Sequence, residues 1–351
     1  MFQRVKKWIY QKPFLCALAK LLANRKDQEY LDNFISFNPK FYFEKEKMCL
    51  SRGKTFYITD EDWDICGFFG IMRFCMLDLC VADSMGFIPY VNITNSIYNV
   101  SGGWNGTDNM YEYYFLQTTS EKLDRIIAEE NYFMSNSSIR NGIRRNFSAD
   151  NDYEFDEQQL HYMGSVARKY MRLRPELEVE LRLEIDSLLK GKKTIGIHYR
   201  GSDYKVGLKE HPAALTVEQY FPFIDEAFMN GFEQIFLATD DVNAYKMFCD
   251  QYKGRIVSYN DVMRTEGLTG VHLMEHEREE QKYYLGREVL RDMMTLSCCD
   301  GFIAGMSNVS MFTRIWRYRQ NKEFEYIQII SRGLNKKNTR DGKKYLATLG
   351  R

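Results

Sequence analysis

The sequence has no apolar run long enough to cross a bilayer, since a membrane-spanning helix needs about 20 predominantly apolar residues. The most apolar stretch near the N-terminus, residues 9–23, is interrupted by Gln11, Lys12 and Lys20. Its apolar centre is too short for a signal peptide, and no A-x-A cleavage site follows it. The stretch therefore predicts a basic amphipathic surface helix, with Trp8 among its anchors.

The chain also has no net charge, because 48 Lys and Arg balance 48 Asp and Glu among its 351 residues. A protein that binds nucleic acid over its whole surface should be basic, so the composition argues against a nucleic-acid partner. The charge is uneven, however: the first 25 residues hold six cations and no acid, and the last 20 hold seven cations and one acid. Two basic ends predict contact with an anionic membrane surface, with solvated terminal segments as the alternative.

No C-x-x-C pair occurs among the eight cysteines, and most of them lie in apolar helix or strand patterns. This predicts reduced, buried thiols and favours the cytoplasm. Six N-x-S/T sequences point the other way, but without a signal sequence we interpret them as chance. The expected location is the cytoplasm, with the inner face of the membrane as a peripheral site.

The pattern of the first half of the chain predicts a βαβ unit. Residues 55–60 and 87–93 have strand patterns, and residues 71–85 between them place apolar side chains at helical spacing before a C-cap at Gly86. This order implies a parallel sheet. A glycine-bearing turn, residues 66–70, opens the helix and could receive an anion or a sugar.

An acidic stretch, residues 60–64, follows the first strand and contains a D-x-D pattern. Carboxylates in this pattern suit Mn²⁺ or Mg²⁺ with a nucleotide diphosphate, which would make the chain a metal-dependent glycosyltransferase. We favour the interpretation that this stretch begins a helix, because Asp and Glu are favoured in a first helical turn.

The second half alternates strands with helices and predicts a complete doubly wound sheet. Its predicted strands are residues 194–200, 234–239, 255–259, 301–305 and 324–330. Thr216 and Gln219 form a capping-box pattern at a helix start, and Pro222 is expected to kink that helix. Polar, mostly helical residues 135–190 separate the halves. We place the boundary at 180, between an N-terminal α/β domain (1–180) and a Rossmann-like domain (181–351) with a basic tail.

Polar side chains follow three of these strands where each strand ends. His198 and Arg200 lie two residues apart, so they point the same way from the first strand. Asp240 follows the second strand, and Ser307 and Asn308 open a helix after a later one. Strand ends of a parallel sheet share one edge, the guanidinium fork matches a phosphate, and a helix start favours an anion. The cluster predicts a site for the pyrophosphate of a sugar nucleotide, with an Arg200 salt bridge and a packed His198 as the structural alternative.

The loop after the first of these strands carries groups that could take a proton from an incoming hydroxyl. Glu210 is the candidate base, and Asp203 and His211 are its rivals.

The order H-x-R-x-[ST]-D, A-T-D-D and L-x-D-x-x-x-L-S, followed by a strand ending in Ser, resembles the GDP-fucose-dependent fucosyltransferases. The likeness is to the α1,6 type, which includes the bacterial nodulation enzymes, and the α1,2 type shares a related H-x-R-x-x-D motif. Here the third block is Leu290–Ser297, and the resemblance covers about residues 190–330.

This resemblance implies a GT-B-like fold, in which two Rossmann-type domains face a central cleft, with the acceptor expected on the side of residues 1–180 and the GDP-sugar on the side of residues 181–351. It implies an inverting transfer of fucose from GDP-fucose to a glycan hydroxyl, without a cofactor or an essential metal. The implied roles are pyrophosphate binding by His198 and Arg200, a nucleotide pocket lined by Asp240, guanine recognition by Asp292, phosphate contacts from Ser307 and Asn308, and Glu210 as catalytic base.

The sequence departs from the family pattern at three places. Gly201 stands where a second Arg is usual, Tyr204 lengthens the following loop, and residues 307–310 differ from the expected Ser-Ser-Gln. A protein that binds a nucleotide sugar or carbohydrate without catalysis is therefore an alternative, beside the metal-dependent enzyme.

Overall fold

The computed structural model describes residues 54–63, 66–129, 131–135, 153, 155–274, 278 and 280–348, together with residues 22, 25 and 26. The amphipathic helix predicted within residues 9–23 lies almost entirely outside the described residues. Within the described part of the chain, no helix is long and apolar enough to cross a membrane.

The N-terminal half is built on a three-stranded parallel sheet in the order β2-β1-β3. Its elements are β1 (Thr55–Trp63), α1 (Phe68–Met85), β2 (Ile88–Ser96), α2 (Met110–Tyr114), α3 (Leu123–Glu129) and β3 (Asn131–Met134). The predicted βαβ unit is confirmed. Helix α1 ends at Gly86, whose φ of 70° suits a residue without Cβ and whose N–H caps the helix.

The acidic stretch after the first strand does not begin a helix, so this interpretation was wrong. Strand β1 continues to Trp63, with the Cα of Asp60 opposite that of Asn92 and the Cα of Asp62 opposite that of Asn95. Pairing with β2 satisfies the backbone of these residues and outweighs the helix-start preference of acidic side chains. Their side chains lie outside the described part, and the metal-dependent alternative stays a prediction.

The C-terminal half contains a five-stranded parallel sheet in the order β6-β5-β4-β7-β8. Its elements are β4 (Thr194–Tyr199), α6 (Phe221–Met229), β5 (Gln234–Thr239), α7 (Val242–Gln251), β6 (Ile256–Val257), α8 (Gln281–Cys298), β7 (Gly301–Gly305), α9 (Asn308–Arg319), β8 (Tyr326–Ile330) and α10 (Arg340–Thr348), with α4 (Glu157–Tyr170) and α5 (Pro175–Leu189) preceding them. The predicted doubly wound sheet is confirmed, whereas α10 was not predicted. The strand order reverses between β4 and β7, which opens a crevice at their carboxyl ends.

Pro222 does not kink a helix, contrary to the expectation from sequence. The capping box of Thr216 and Gln219 is present, but it begins a short 3₁₀ turn, Val217–Gln219. Helix α6 then starts at Phe221, so Pro222 lies in its first turn. A proline is tolerated there because the missing N–H has no intrahelical partner to lose.

Helix α4 joins the two halves by packing against both α1 and α9. A Cβ at Gly164 of α4 would lie 2.8 Å from the Cβ of Tyr318, so the helices approach closely only because this residue is glycine. The rings of Phe69 on α1 and Phe312 on α9 are 4.9 Å apart, which continues the apolar core between the halves. The α/β class with two parallel sheets flanking a central cavity is thus confirmed. Residue 180 lies within α5, and the boundary between domains stays a prediction.

Candidate functional site

The carboxyl ends of β4, β5 and β7 meet at a cavity of about 430 Å³ between the two halves. Parallel pairing places His198 of β4 opposite Ala238 of β5 and Ala304 of β7, so the polar residues after these strands share one edge. The cavity wall contains all the residues predicted to bind a donor: His198, Arg200, Asp240, Asp292, Ser307 and Asn308.

Arg200 forms an ion pair across the first two strand ends. Its guanidinium lies 2.7 Å from Oδ2 of Asp240, and this oxygen also accepts a hydrogen bond from the hydroxyl of Ser202 at 2.5 Å. The other oxygen, Oδ1, accepts from the N–H of Gly201 at 3.0 Å. Burial alone would raise the pKa of Asp240, but the positive charge of Arg200 and these hydrogen bonds bring it below its ordinary value. Asp240 is therefore ionised, and it both orients Arg200 and offsets part of its charge.

His198, near the end of β4, is buried beside the start of α9. Its Nδ1 lies 3.3 Å from the hydroxyl of Ser307, within reach of a weak hydrogen bond. Burial and the neighbouring Arg200 charge lower the pKa of His198 to about 4. The imidazole is accordingly neutral at physiological pH and acts as a hydrogen-bonding group, and Arg200 supplies the positive charge.

Helix α9 begins at the cavity with a capping box. The hydroxyl of Ser307 accepts from the N–H of Ser310 at 3.0 Å, and the N–H of Ser307 donates to the hydroxyl of Ser310 at 2.9 Å. The side-chain carbonyl oxygen of Asn308 also faces this region, and it is buried without a hydrogen-bond partner in the described part of the chain. A buried oxygen without a partner in a cavity wall marks a position where a hydrogen-bond donor of a bound ligand would be favourable.

The turn after β4 explains why Gly201 cannot be a second arginine here. A Cβ at this position would lie 2.5 Å from the Cβ of Asp241, closer than two such atoms approach in folded proteins. Asp241 is itself buried, caps α7 by accepting from the N–H groups of Asn243 and Ala244, and pairs with Lys205. The site therefore has Asp241 and its helix cap where the family pattern places another cation.

Asp292 projects from α8 into the cavity wall. Burial raises its pKa to about 7, although the charges of Arg291 and Arg264 act in the opposite direction. A carboxyl group with this pKa is half ionised near neutral pH. It suits a ligand that donates N–H groups, because hydrogen bonds to the charged form stabilise it.

The three candidate bases are placed differently. The carboxylate of Glu210 is 76% exposed, lies 3.1 Å from the ammonium of Lys209, and is absent from the cavity wall. His211 lines the cavity. The side chain of Asp203 lies outside the described part of the chain.

Sequence reasoning missed part of the opposite wall. The predicted glycine turn does lie there, because residues 66–70 line the cavity, but Arg73 one turn further along α1 was not singled out. This side chain is only 8% exposed, and its guanidinium lies 4.7 Å from the ring centre of Phe74 and 5.8 Å from that of Tyr153. The helical spacing from Gly70 is the signal that could have found it.

A larger cavity of about 980 Å³ lies elsewhere, between α5, α8 and the residues after β6. Its buried cations already have acidic partners. Arg287 pairs with Glu180 and Glu184, while Arg291 pairs with Glu184 and Asp261. Because this cavity lies away from the carboxyl ends of β4, β5 and β7 and its charges are matched internally, we assign the candidate site to the smaller cavity. Among the described residues, no group of three or more His, Cys, Asp or Glu could hold a metal ion.

No protein-family model matches the sequence, and no curated protein matches it. Solved structures to which the chain is similar include NodZ α-1,6-fucosyltransferase co-crystallized with GDP, with a TM-score of 0.42 and 14% identity, covering 76% of this chain and 92% of that chain. NodZ from Bradyrhizobium has a TM-score of 0.45 and 16% identity, covering 76% and 93%. POFUT1 in complex with GDP has a TM-score of 0.43 and 10% identity, covering 79% and 98%. Similarity at this level carries no information about activity, so function must be inferred from the cavity residues.

Proposed function

We propose that this protein is an inverting glycosyltransferase that moves fucose from GDP-fucose to a hydroxyl group of a glycan. The observation that carries the proposal is the meeting of Arg200, His198 and the start of α9 at the reversal of the strand order, within one cavity that also contains Asp292. Crevices of this kind bind nucleotides in open α/β sheets. The choice of guanine and fucose follows the family resemblance of the three motifs.

The charge distribution suits the departure of a nucleoside diphosphate. As the sugar–phosphate bond breaks, negative charge grows on the leaving oxygen, and the guanidinium of Arg200 is already held in place by Asp240. The first N–H groups of α9 add a partial positive charge beside Ser307. These groups can stabilise the leaving diphosphate, and we propose that no divalent metal is essential. Complete inhibition by EDTA with recovery by Mn²⁺ would favour the metal-dependent alternative instead.

The Arg200 role is tested by substitution. Arg200→Ala should lower kcat/KM for transfer from GDP-fucose by about 100-fold or more, since a preorganised donor to the developing charge is lost. Arg200→Lys keeps the positive charge but lacks the bidentate fork, so its kcat/KM should lie between those of the wild type and Arg200→Ala. Turnover by Arg200→Ala within about 3-fold of wild type, in a protein that melts normally, would refute the role. GDP binding without any transfer by the wild-type protein would instead indicate a non-catalytic binding protein.

For the base that accepts the acceptor proton, we infer that His211 is better placed than Glu210. His211 lines the cavity, whereas the Glu210 carboxylate is exposed to solvent and paired with Lys209. His211→Gln should lower kcat by about 100-fold or more, a typical loss for a general base, and Glu210→Gln should leave kcat nearly unchanged. The reverse result, measured by steady-state transfer to a soluble acceptor, would restore the assignment predicted from sequence.

Recognition of guanine by Asp292 predicts a pH dependence. Because its pKa is raised to about 7, the carboxyl is neutral below that pH and loses an acceptor for the guanine N–H groups. The affinity for GDP-fucose should therefore be about 10-fold lower at pH 6 than at pH 8, where the carboxylate predominates. The diphosphate of GDP-fucose does not titrate in this range, so calorimetry reports the protein group.

Asp292→Asn is the matched control for this measurement. The variant should bind GDP-fucose weakly, with an affinity that no longer changes between pH 6 and pH 8. An unchanged pH dependence in Asp292→Asn, or equal binding of GDP and UDP by the wild-type protein, would contradict the assignment.

We extend the proposal to a peripheral location on an anionic membrane in the cytoplasm. The cysteines in the described part of the chain are free thiols, as expected in a reducing compartment. The end of the chain presents six exposed cations: Arg332, Lys336, Lys337, Arg340, Lys343 and Lys344. Each cation near an anionic leaflet contributes roughly 1 kcal/mol to binding.

Vesicle sedimentation tests this location. Wild-type protein should sediment with vesicles that contain phosphatidylserine and remain in the supernatant with phosphatidylcholine alone. Combined substitution of Lys336, Lys337, Lys343 and Lys344 by Glu should weaken the sedimentation, and so should high salt. Equal sedimentation with neutral vesicles would exclude an electrostatic mechanism.

A further inference from the structure

The end of the described chain packs along the loop that carries the candidate bases. We call residues 333–348 the C-terminal segment and residues 203–213 the β4 loop. Their pairing resembles two irregular antiparallel strands, with a bridge between Pro212 and Leu334. The backbone hydrogen bonds between them run from Ala213 N to Gly333 O, Asn335 N to His211 O and Glu210 N to Asn335 O, each 2.9 Å, and from Thr339 N to Gly207 O at 3.1 Å.

Side chains of the C-terminal segment bind further backbone groups of the β4 loop. These contacts are Asn335 Nδ2 to Leu208 O at 3.1 Å, Lys209 N to Asn338 Oδ1 at 2.6 Å, and the Thr339 hydroxyl to Val206 O. The loop therefore satisfies much of its backbone through this segment, where a surface loop would ordinarily bind water.

Two glycines allow the segment and the loop to approach closely. Gly207 has a φ of 68°, and a Cβ on it would lie 2.5 Å from the Cγ2 of Thr339. A Cβ on Gly342, at the start of α10, would lie 3.0 Å from the carbonyl oxygens of both Val206 and Gly207. Contact at this distance fixes the position of the loop relative to α10.

Both elements also supply wall residues to the candidate site. Tyr204, Leu208 and His211 of the β4 loop line the cavity, as do Tyr345 and Leu346 of α10. These wall residues begin beside Arg200, the cation proposed to bind the diphosphate, and extend away from it. The Arg200 guanidinium is 5.9 Å from the ring centre of Tyr204, whose ring is in turn 6.3 Å from that of His211.

We propose that the C-terminal segment is a clamp that positions the β4 loop, and that Tyr345 and Leu346 form part of the wall against which the transferred sugar or its acceptor lies. This inference rests on the proposed function, because the clamped loop extends from the diphosphate end of the cavity. The clamp acts on transfer and leaves nucleotide affinity largely unchanged, since Asp292 and the start of α9 lie outside it.

A double substitution tests the clamp. Gly207→Ala places a methyl group against Thr339 and should lower kcat/KM by about 10-fold or more, as a small displacement of a positioning element does. Thr339→Ser removes the Cγ2 with which the new methyl group would clash and keeps the hydroxyl, so this substitution alone should leave kcat/KM nearly unchanged. In the Gly207→Ala background, Thr339→Ser should recover at least half of the loss on a logarithmic scale. No recovery would mean that only the strained φ at residue 207 matters, which would overturn the clamp.

Wall residues are tested separately, with a neighbour as the control. Tyr345→Ala and Leu346→Ala should each lower kcat/KM about 10-fold while GDP affinity stays within about 3-fold of wild type. The exposed substitution Ala347→Ser on the same helix should change neither quantity. A fall in GDP affinity equal to the fall in kcat/KM, or no effect of either alanine, would contradict the assignment.

Hydrogen exchange distinguishes failure of the clamp from failure of the proposed function. The amides of Glu210 and Ala213 donate to the C-terminal segment, so Gly207→Ala should accelerate their exchange even if the protein transfers no sugar. Wild-type protein that neither binds GDP nor transfers fucose would refute the function alone. Unchanged exchange in Gly207→Ala would refute the clamp alone.

Discussion

The reversal of strand order between β4 and β7 is the constraint on which the site depends. Because the connections leave these neighbouring strands in opposite directions, a crevice remains at their carboxyl ends. His198 lies near the end of β4 and Ser307 follows β7, and their side chains lie within hydrogen-bond distance across the crevice. The sheet thus brings residues from distant parts of the chain to one cavity edge.

Within this crevice, burial and charge act against each other. Asp240 would resist ionisation in its buried position, but Arg200 and the hydrogen bonds to its carboxylate keep it charged. The same arrangement makes a positive charge on His198 unfavourable, so the imidazole is neutral, and the charges of Arg200 and Asp240 offset each other. A site with little surplus charge of its own depends on the start of α9 and on the opposite wall, which includes Arg73.

Much of this could be predicted from sequence, because strand patterns are local and the edge that parallel strands share follows from their direction. The strands Gln234–Thr239 and Gly301–Gly305 have the predicted bounds, and the residues predicted to bind a donor line one cavity. Two predictions were wrong. The acidic stretch after β1 continues the strand because β2 lies beside it, and Pro222 begins a helix because the preceding turn ends early.

The sequence by itself determined the α/β alternation and the polar strand ends, since each depends on neighbouring residues. Only the tertiary structure decided which groups share the cavity. Glu210 and His211 are adjacent in sequence, yet one faces solvent and the other lines the wall. The C-terminal segment, more than 120 residues further along the chain, forms backbone hydrogen bonds with the loop that contains both residues. Contacts between residues so far apart in sequence leave no local pattern, because packing and backbone pairing select them only after the chain has folded.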